Sequence, residues 1–303
     1  MKVVVLDGYT VNPGDASWQD LEKIGEVILH DRTAPNDIID TIGDATAVFT
    51  SKCLITAEIM DACPNLKFVA TLATGYDNID LIAAKERGIA VCNVPAYSTE
   101  AVTQHTFALI LELWSKVGLH NDAVQKGEWT TCPDFCMIKS PMLQLSGKTL
   151  GIIGYGTIGK RVGQVAEAFG MKVIPYSKDP KNAIKADIIT LHCPATADNK
   201  GFVNKEFISN MKDGAFLINT ARGALINEQD LADAVKSGKL AGAAVDVVSK
   251  EPILADNPLL NVPGIIITAH MAWSSIEARE TITRTSAENL KSFLEGGDLN
   301  RIV

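Results

Sequence analysis

A chain of 303 residues with 47% hydrophobic and 21% charged residues has the makeup of an ordinary globular protein and length enough for two domains. Its formal net charge of −8 and lack of any long basic run argue against a nucleic-acid partner, which needs a clustered basic surface. No stretch approaches the length needed to span a bilayer, and Cys53, Cys63, Cys92, Cys132, Cys136 and Cys193 show neither a disulfide framework nor metal-ligand spacing, so reduced thiols in a cytoplasmic protein are expected.

The first seven residues, Met1-Lys2-Val3-Val4-Val5-Leu6-Asp7, form too short an apolar run for a signal peptide and read as a buried strand. Strand-like runs then alternate with helical stretches, the signature of parallel sheets covered by helices. A first group comprises Val3–Leu6, Glu26–His30, Ala47–Thr50, Phe68–Leu72 and Ile89–Asn93, enough for a small doubly wound domain. A long helix follows from Glu100 to about Ser115, with Ser98 or Thr99 as N-cap. Its apolar positions Val102, Phe107, Leu109, Ile110 and Leu113 are too many for a simple surface helix, which points to burial between domains or against another subunit. Residues 127–146 read as a loop-rich arm punctuated by Pro133 and Pro141.

The second group of strands is Leu150–Gly154, Lys172–Tyr176, Asp187–His192, Ala215–Asn219, Ala241–Asp246 and Ile265–Thr268. A closing helix from about Ile276 to Leu294, with Gly296 and Gly297 behind it, is expected to return to the first domain. The fold class is therefore α/β, with two doubly wound parallel-sheet domains. Residues 1–98 with 276–303 form a flavodoxin-like substrate domain, and residues 99–275 a shortened Rossmann dinucleotide domain of about six strands.

The strongest local signal is Gly154-Tyr155-Gly156-Thr157-Ile158-Gly159, fed by the apolar run Thr149–Ile153 and followed by a helical pattern over Lys160–Phe169. In that setting Gly154 permits the tight turn, Gly156 lets a pyrophosphate approach the backbone, and Gly159 lets the helix pack against the sheet. Three further motifs follow in order. Asn219-Thr220-Ala221-Arg222-Gly223 ends a strand, Val245-Asp246-Val247-Val248 precedes Glu251-Pro252, and Thr268-Ala269-His270 ends the last strand.

In this order and setting the chain resembles the D-isomer-specific 2-hydroxyacid dehydrogenases, and within them the bacterial glycerate dehydrogenase (hydroxypyruvate reductase) group. Leu72-Ala73-Thr74-Gly75-Tyr76-Asp77, Asn93-Val94-Pro95-Ala96-Tyr97 and Pro133-Asp134-Phe135-Cys136 support the likeness, which extends over essentially the whole chain. The resemblance implies hydride transfer between a nicotinamide cofactor and a small D-2-hydroxy acid or 2-keto acid, most like glycerate/hydroxypyruvate or glyoxylate. It assigns His270 as catalytic acid, Glu251 as its carboxylate partner and Arg222 as the substrate-binding arginine. Chemistry wants these types: histidine exchanges protons near neutrality, a carboxylate orients the ring and favours the imidazolium, and arginine's planar fork holds a carboxylate while polarising a carbonyl.

The resemblance gives the backbone of Ala73, Thr74 and Gly75 to the substrate carboxylate. To the cofactor it gives Gly154, Gly156, Thr157, Ile158, Gly159, Ser177, Cys193, Pro194, Asn199, Thr220, Ala221, Arg222 and His270, with Asp246 accepting from the carboxamide. His192 competes with His270 by position and is read as structural, as are His30, His105 and His120. The resemblance also implies a homodimer, and an active site in a cleft that closes over ligand.

Two departures stand out. The second strand of a dinucleotide fold commonly ends in an acid for the ribose hydroxyls, but here Lys172–Tyr176 runs into Ser177-Lys178, with Asp179 two residues on. NAD follows from the resemblance, and NADP stays open. Between Ser177 and Asp187 there is also too little chain for the helix and third strand that relatives carry, which predicts a thinner wall around the adenine and weaker cofactor binding. That truncation motivates two alternatives: a non-catalytic dinucleotide-binding regulator of the corepressor type, and the same chemistry on a D-lactate-like acid.

Overall fold

The computed structural model describes residues 1–303, which pack as two units: Met1–Ser98 with Ser274–Val303, and Thr99–Trp273. In the first unit β1 (Lys2–Val5), β2 (Glu26–Leu29), β3 (Ala47–Thr50), β4 (Phe68–Thr71) and β5 (Ala90–Cys92) form a parallel sheet in the order β2-β1-β3-β4-β5. This is the flavodoxin-like order. Between the strands run α1 (Gln19–Glu22), α2 (Ile38–Ile42), α3 (Ala57–Ala62) and α4 (Leu81–Glu86).

Side chains alternate along each strand, so each face builds its own core. Val4, Val48, Val69 and Val91 meet Ile38, Ile42, Ile59, Met60 and Ala84 on one face. On the other, Phe49 packs on Phe68 with ring centroids 5.7 Å apart, and Phe68 on Phe293 of the C-terminal helix at 5.2 Å. Thr56 and Asp80 cap α3 and α4 by accepting from the amides of Ile59 and Ala83.

The second unit opens with α5 (Thr99–Ser115), α6 (Val117–Gln125) and an arm that holds only one turn of 3₁₀ helix at Glu128–Thr131. Next come β6 (Thr149–Ile153), α7 (Thr157–Ala168), β7 (Lys172–Pro175), α8 (Pro180–Ala183), β8 (Ile188–Leu191), α9 (Lys205–Asn210), β9 (Ala215–Asn219), α10 (Glu228–Lys236), β10 (Leu240–Val245) and β11 (Ile265–Ile267). The chain ends in α11 (Ile276–Leu294), which belongs to the first unit. The six strands are parallel, in the order β11-β10-β9-β8-β6-β7.

One sheet face packs Ile189, Leu191, Leu217, Ala243 and Val245 against Phe207, Ile208, Leu231 and Val235 of α9 and α10. The opposite face packs Leu150, Ile152, Ile188, Phe216, Ile218 and Ala244 against Phe107, Ile110, Leu113 and Trp114 of α5 and Val162 and Ala166 of α7. The apolar side of α5 is thus explained by the sheet of its own unit rather than by a partner. Helix α7 starts at Thr157, three residues earlier than the pattern suggests, because Gly159 must already sit in its first turn: a Cβ there would lie 2.1 Å from the Gly154 carbonyl oxygen.

The sheet stops at β7, and only α8 spans the crossover to β8. It crosses directly over β6. A Cβ on Gly151 would lie 2.4 Å from the Ala183 carbonyl oxygen, so a bare residue at this point in β6 is what lets so short a connection lie flat.

Candidate active site

Six parallel strands place all their C-terminal ends along one margin, where open α/β sheets bind ligands. The nominated residues follow those ends: Gly154 after β6, Ser177 after β7, Cys193 and Pro194 beyond β8, Ala221 and Arg222 beyond β9, Asp246 after β10 and His270 beyond β11.

At the glycine turn the backbone is shaped for an anion. Gly154 has φ +94°, and a Cβ there would lie 2.4 Å from the Cys193 amide nitrogen. Gly156 caps α7 without any side-chain bond, and nothing lies within 4 Å of the place its Cβ would occupy. Lys160 N, bonded to Gly156 O at 2.9 Å, is the first amide of α7 with an acceptor in the chain. The amides of Thr157, Ile158 and Gly159 therefore face an open approach at the positive end of a twelve-residue helix, which fits a dinucleotide pyrophosphate.

The end of β7 differs from a ribose-binding one. Ser177 and Lys178 are exposed, and the nearest acid is engaged elsewhere. Asp179 caps α8, its Oδ1 accepting from Asn182 N at 3.2 Å and its Oδ2 from Asn182 Nδ2 at 2.6 Å. These bonds hold its carboxyl below the usual carboxylate range. Beyond β8, burial pushes the Cys193 thiol up, and Asn199 turns its amide inward, donating to Pro194 O at 2.9 Å and accepting from Thr196 N at 2.7 Å. His192 bonds Thr190 Oγ1 at 3.0 Å, and burial pushes its pKa down to about 3, so its ring is neutral and structural.

The catalytic candidates lie toward the other side of the sheet. His270 Nδ1 and Glu251 Oε2 are 2.6 Å apart. A carboxylate only accepts, so Nδ1 carries the proton of this bond and Nε2 is left to face a substrate. Both side chains are partly open, at 29% and 33% exposure. His270 has φ +52°, a left-handed conformation that costs a residue with a Cβ about 1–2 kcal/mol.

Asp246 holds that conformation in place. Its backbone oxygen accepts from His270 N at 2.7 Å, Oδ1 from Thr268 Oγ1 at 2.6 Å and Met271 N at 3.0 Å, and Oδ2 from Ala272 N at 2.8 Å. His105 of α5 completes the group, with Nε2 3.0 Å from Thr268 Oγ1. The Asp246 carboxylate is only 1% exposed and presents the His270 loop, with Oδ2 accepting a single bond from the chain. Thr220 is likewise turned inward, its Oγ1 3.1 Å from Thr106 Oγ1 of α5.

Arg222 is exposed on a turn clamped by Asn219, whose Oδ1 accepts from Ala221 N at 3.0 Å and whose Nδ2 donates to Arg222 O at 2.9 Å. The next residue backs onto the loop that carries Glu251. A Cβ on Gly223 would lie 2.0 Å from Val248 O, and Val248 N donates to Glu251 Oε1 at 3.2 Å. The arginine turn, the glutamate loop and the histidine loop thus form one continuous set of contacts. Asn219, His105 and Thr268 act here without having been nominated. Asn219 and Thr268 carried a usable signal, each opening a motif at the end of a strand, and His105 carried none.

In the first unit the loop after β4 has its carbonyls tied and its amides open. Val94 N donates to Ala73 O at 3.0 Å, Asn93 Nδ2 to Thr74 O at 2.8 Å and Thr71 Oγ1 to Gly75 O at 3.1 Å. The consecutive amides of Ala73, Thr74 and Gly75 have no acceptor in the chain, an arrangement suited to a carboxylate.

Comparison with known proteins agrees with this geometry. The family model described as the D-isomer specific 2-hydroxyacid dehydrogenase, NAD binding domain, matches residues 107–272. A hydroxypyruvate reductase of Blautia hydrogenotrophica is 46% identical over 99% of both chains. A glycerate dehydrogenase of Methylorubrum extorquens is 35% identical over 99% of this chain and 98% of its own. Among solved structures, an acyclic imino acid reductase in complex with NADPH and D-Arg superposes with a TM-score of 0.84 at 31% identity, covering 100% of each chain. A histidine–glutamate pair and an arginine turn, set on the margin of a dinucleotide-type sheet in a chain with these relatives, lead to one conclusion: the protein belongs to the D-isomer-specific 2-hydroxyacid dehydrogenase family of nicotinamide-dependent oxidoreductases.

Proposed function

We propose that this enzyme reduces hydroxypyruvate, glyoxylate or a similar small 2-keto acid to the D-2-hydroxy acid, and oxidises that acid in reverse. The observation that carries the reading is the 2.6 Å bond between His270 Nδ1 and Glu251 Oε2, held in a sheet margin whose glycine turn suits a dinucleotide. The nicotinamide, when bound, supplies the hydride. The protein's own task is then to orient the keto acid and deliver a proton to the forming alkoxide. His270 Nε2 donates that proton while Glu251 keeps the ring oriented. Arg222 grips the substrate carboxylate and polarises its carbonyl. Absorbance at the reduced-nicotinamide band, followed with a panel of keto acids that includes pyruvate, tests the substrate class; no turnover on any member would end this reading. Cofactor binding without turnover would favour the corepressor-type alternative, against which the intact histidine–glutamate pair already speaks.

The end of β7 bears on cofactor choice. With Asp179 occupied as a helix cap, no carboxylate is free to accept from the ribose hydroxyls, while Lys178 makes no ion pair and lies exposed beside it. NADPH should therefore bind at least as tightly as NADH, and Lys178→Glu should weaken NADPH selectively in fluorescence titrations. Tighter binding of NADH by the unaltered protein would refute this.

A homodimer is supported by the apolar surface of α6 and the arm, where Val117 is 64%, Ile138 66% and Phe135 92% exposed. Nearby, Leu111, Trp114, Leu143 and Phe169 line a hollow of about 320 Å³, and the buried Trp114 Nε1 has no acceptor. Sedimentation at micromolar concentration giving only monomer would sink the dimer. All six cysteines are free, which suits a reducing cytoplasm, and no helix is long and apolar enough to cross a membrane.

A further inference from the structure

The loop that carries Glu251 has neither helix nor strand of its own between Val245 and Ile265, yet it must hold a carboxylate oxygen 2.6 Å from His270 Nδ1. One side chain from outside the loop fastens it. Glu228, the first residue of α10, accepts from Ser249 N at 2.6 Å and Ser249 Oγ at 2.9 Å, and from Asn257 Nδ2 at 2.9 Å. A single carboxylate thus ties together two points of the loop that flank Glu251.

The support behind Glu228 is rigid. Asn227 caps α10, with Oδ1 3.1 Å from Asp230 N, while Leu231 and Ala232 are fully buried. Glu228 forms no ion pair with any lysine or arginine. All its bonds go to neutral donors of this one loop.

We propose that Glu228 is a positioning residue that acts through Glu251, setting where the carboxylate meets the His270 ring. The proposal rests on the reading of His270 and Glu251 as the proton-delivering pair. A displacement of the order of an ångström at a reacting group can lower turnover up to about a hundredfold, so Glu228→Ala should reduce kcat by roughly tenfold or more. Dinucleotide affinity should stay within about twofold, because the glycine turn and the end of β7 are untouched. Glu228→Gln keeps one acceptor oxygen for Ser249 N and should fall between.

The deciding experiment is a double-mutant cycle together with proton NMR. Glu228→Ala should lower kcat in the native background and add nothing in a Glu251→Ala background, because its effect passes through the missing carboxylate. The downfield resonance of the His270 Nδ1 proton should be present in the native protein, lost in Glu251→Ala, and shifted or broadened in Glu228→Ala. Should Glu228→Ala fail to fold, Ser249→Ala and Asn257→Ala, each removing part of the same anchor, carry the same expectations. An equal loss of turnover in both backgrounds, or an unchanged resonance with full turnover, would overturn the proposal. The NMR arm needs no substrate, so a native protein inactive on every keto acid would refute the proposed reaction while leaving the role of Glu228 separately decided.

Discussion

His270 sits where two demands meet: its ring must keep Nδ1 on Glu251, and its backbone must adopt a left-handed turn that only a well-tied loop can sustain. Replacing it with alanine should lower kcat by about 10²–10⁴-fold while dinucleotide affinity, read by fluorescence titration, barely moves. Arg222→Ala should instead raise KM as well as lower kcat, because a carboxylate grip acts in the ground state and the transition state alike. The residues proposed to touch reacting groups were legible in the sequence because each lies in a recognisable local pattern beyond the end of a strand. Those that hold them were not. Glu228 meets Ser249 across 21 residues with no periodicity to announce it, and the inward turn of Asp246, Thr220 and Asn199 is decided by packing neighbours that a linear pattern does not reveal.

At the scale of elements, strand positions were read almost to the residue because the buried runs are β-branched and bounded by turn residues. The nine-residue α6 was missed, since its mixed polarity imitates a loop. The shortened crossover was visible as a lack of chain, but what makes it possible, the bare Gly151 under α8, was not. Gly151→Ala should cost about 1–3 kcal/mol of stability in urea unfolding, since the added Cβ forces α8 off the sheet. Adenosine should be gripped less firmly than in relatives with a full set of elements; a nanomolar dissociation constant for the dinucleotide would contradict that. The outer strand β7 is unpaired on one side, and Lys172 and Pro175 blunt it against sticking to other chains.

For the whole molecule, the half-buried His192 makes stability sensitive to acid. Its folded pKa is depressed to about 3 from 6.5, so above pH 6.5 both the folded and unfolded forms are neutral and it contributes no slope. As pH falls below 6.5 only the unfolded chain takes up the proton, and stability drops by about 1.4 kcal/mol per pH unit, continuing toward pH 3. Denaturant midpoints measured at pH 7 and pH 5 should therefore differ by up to about 2 kcal/mol. His192→Gln, which keeps a partner for Thr190, should flatten that difference, and an unchanged slope would show the ring to be protonated in the fold. The two sheets share a type but not a task, and only the larger carries the histidine–glutamate pair.

The bare flank beyond Lys172–Pro175 has a practical use. Because nothing is stacked outboard of it, a helix-and-strand cassette borrowed from a longer homologue could be spliced in after Lys178 without displacing an existing neighbour. Such a chimera would widen the nucleotide platform by one rung, and its gain in grip on adenosine would measure how much the added wall is worth.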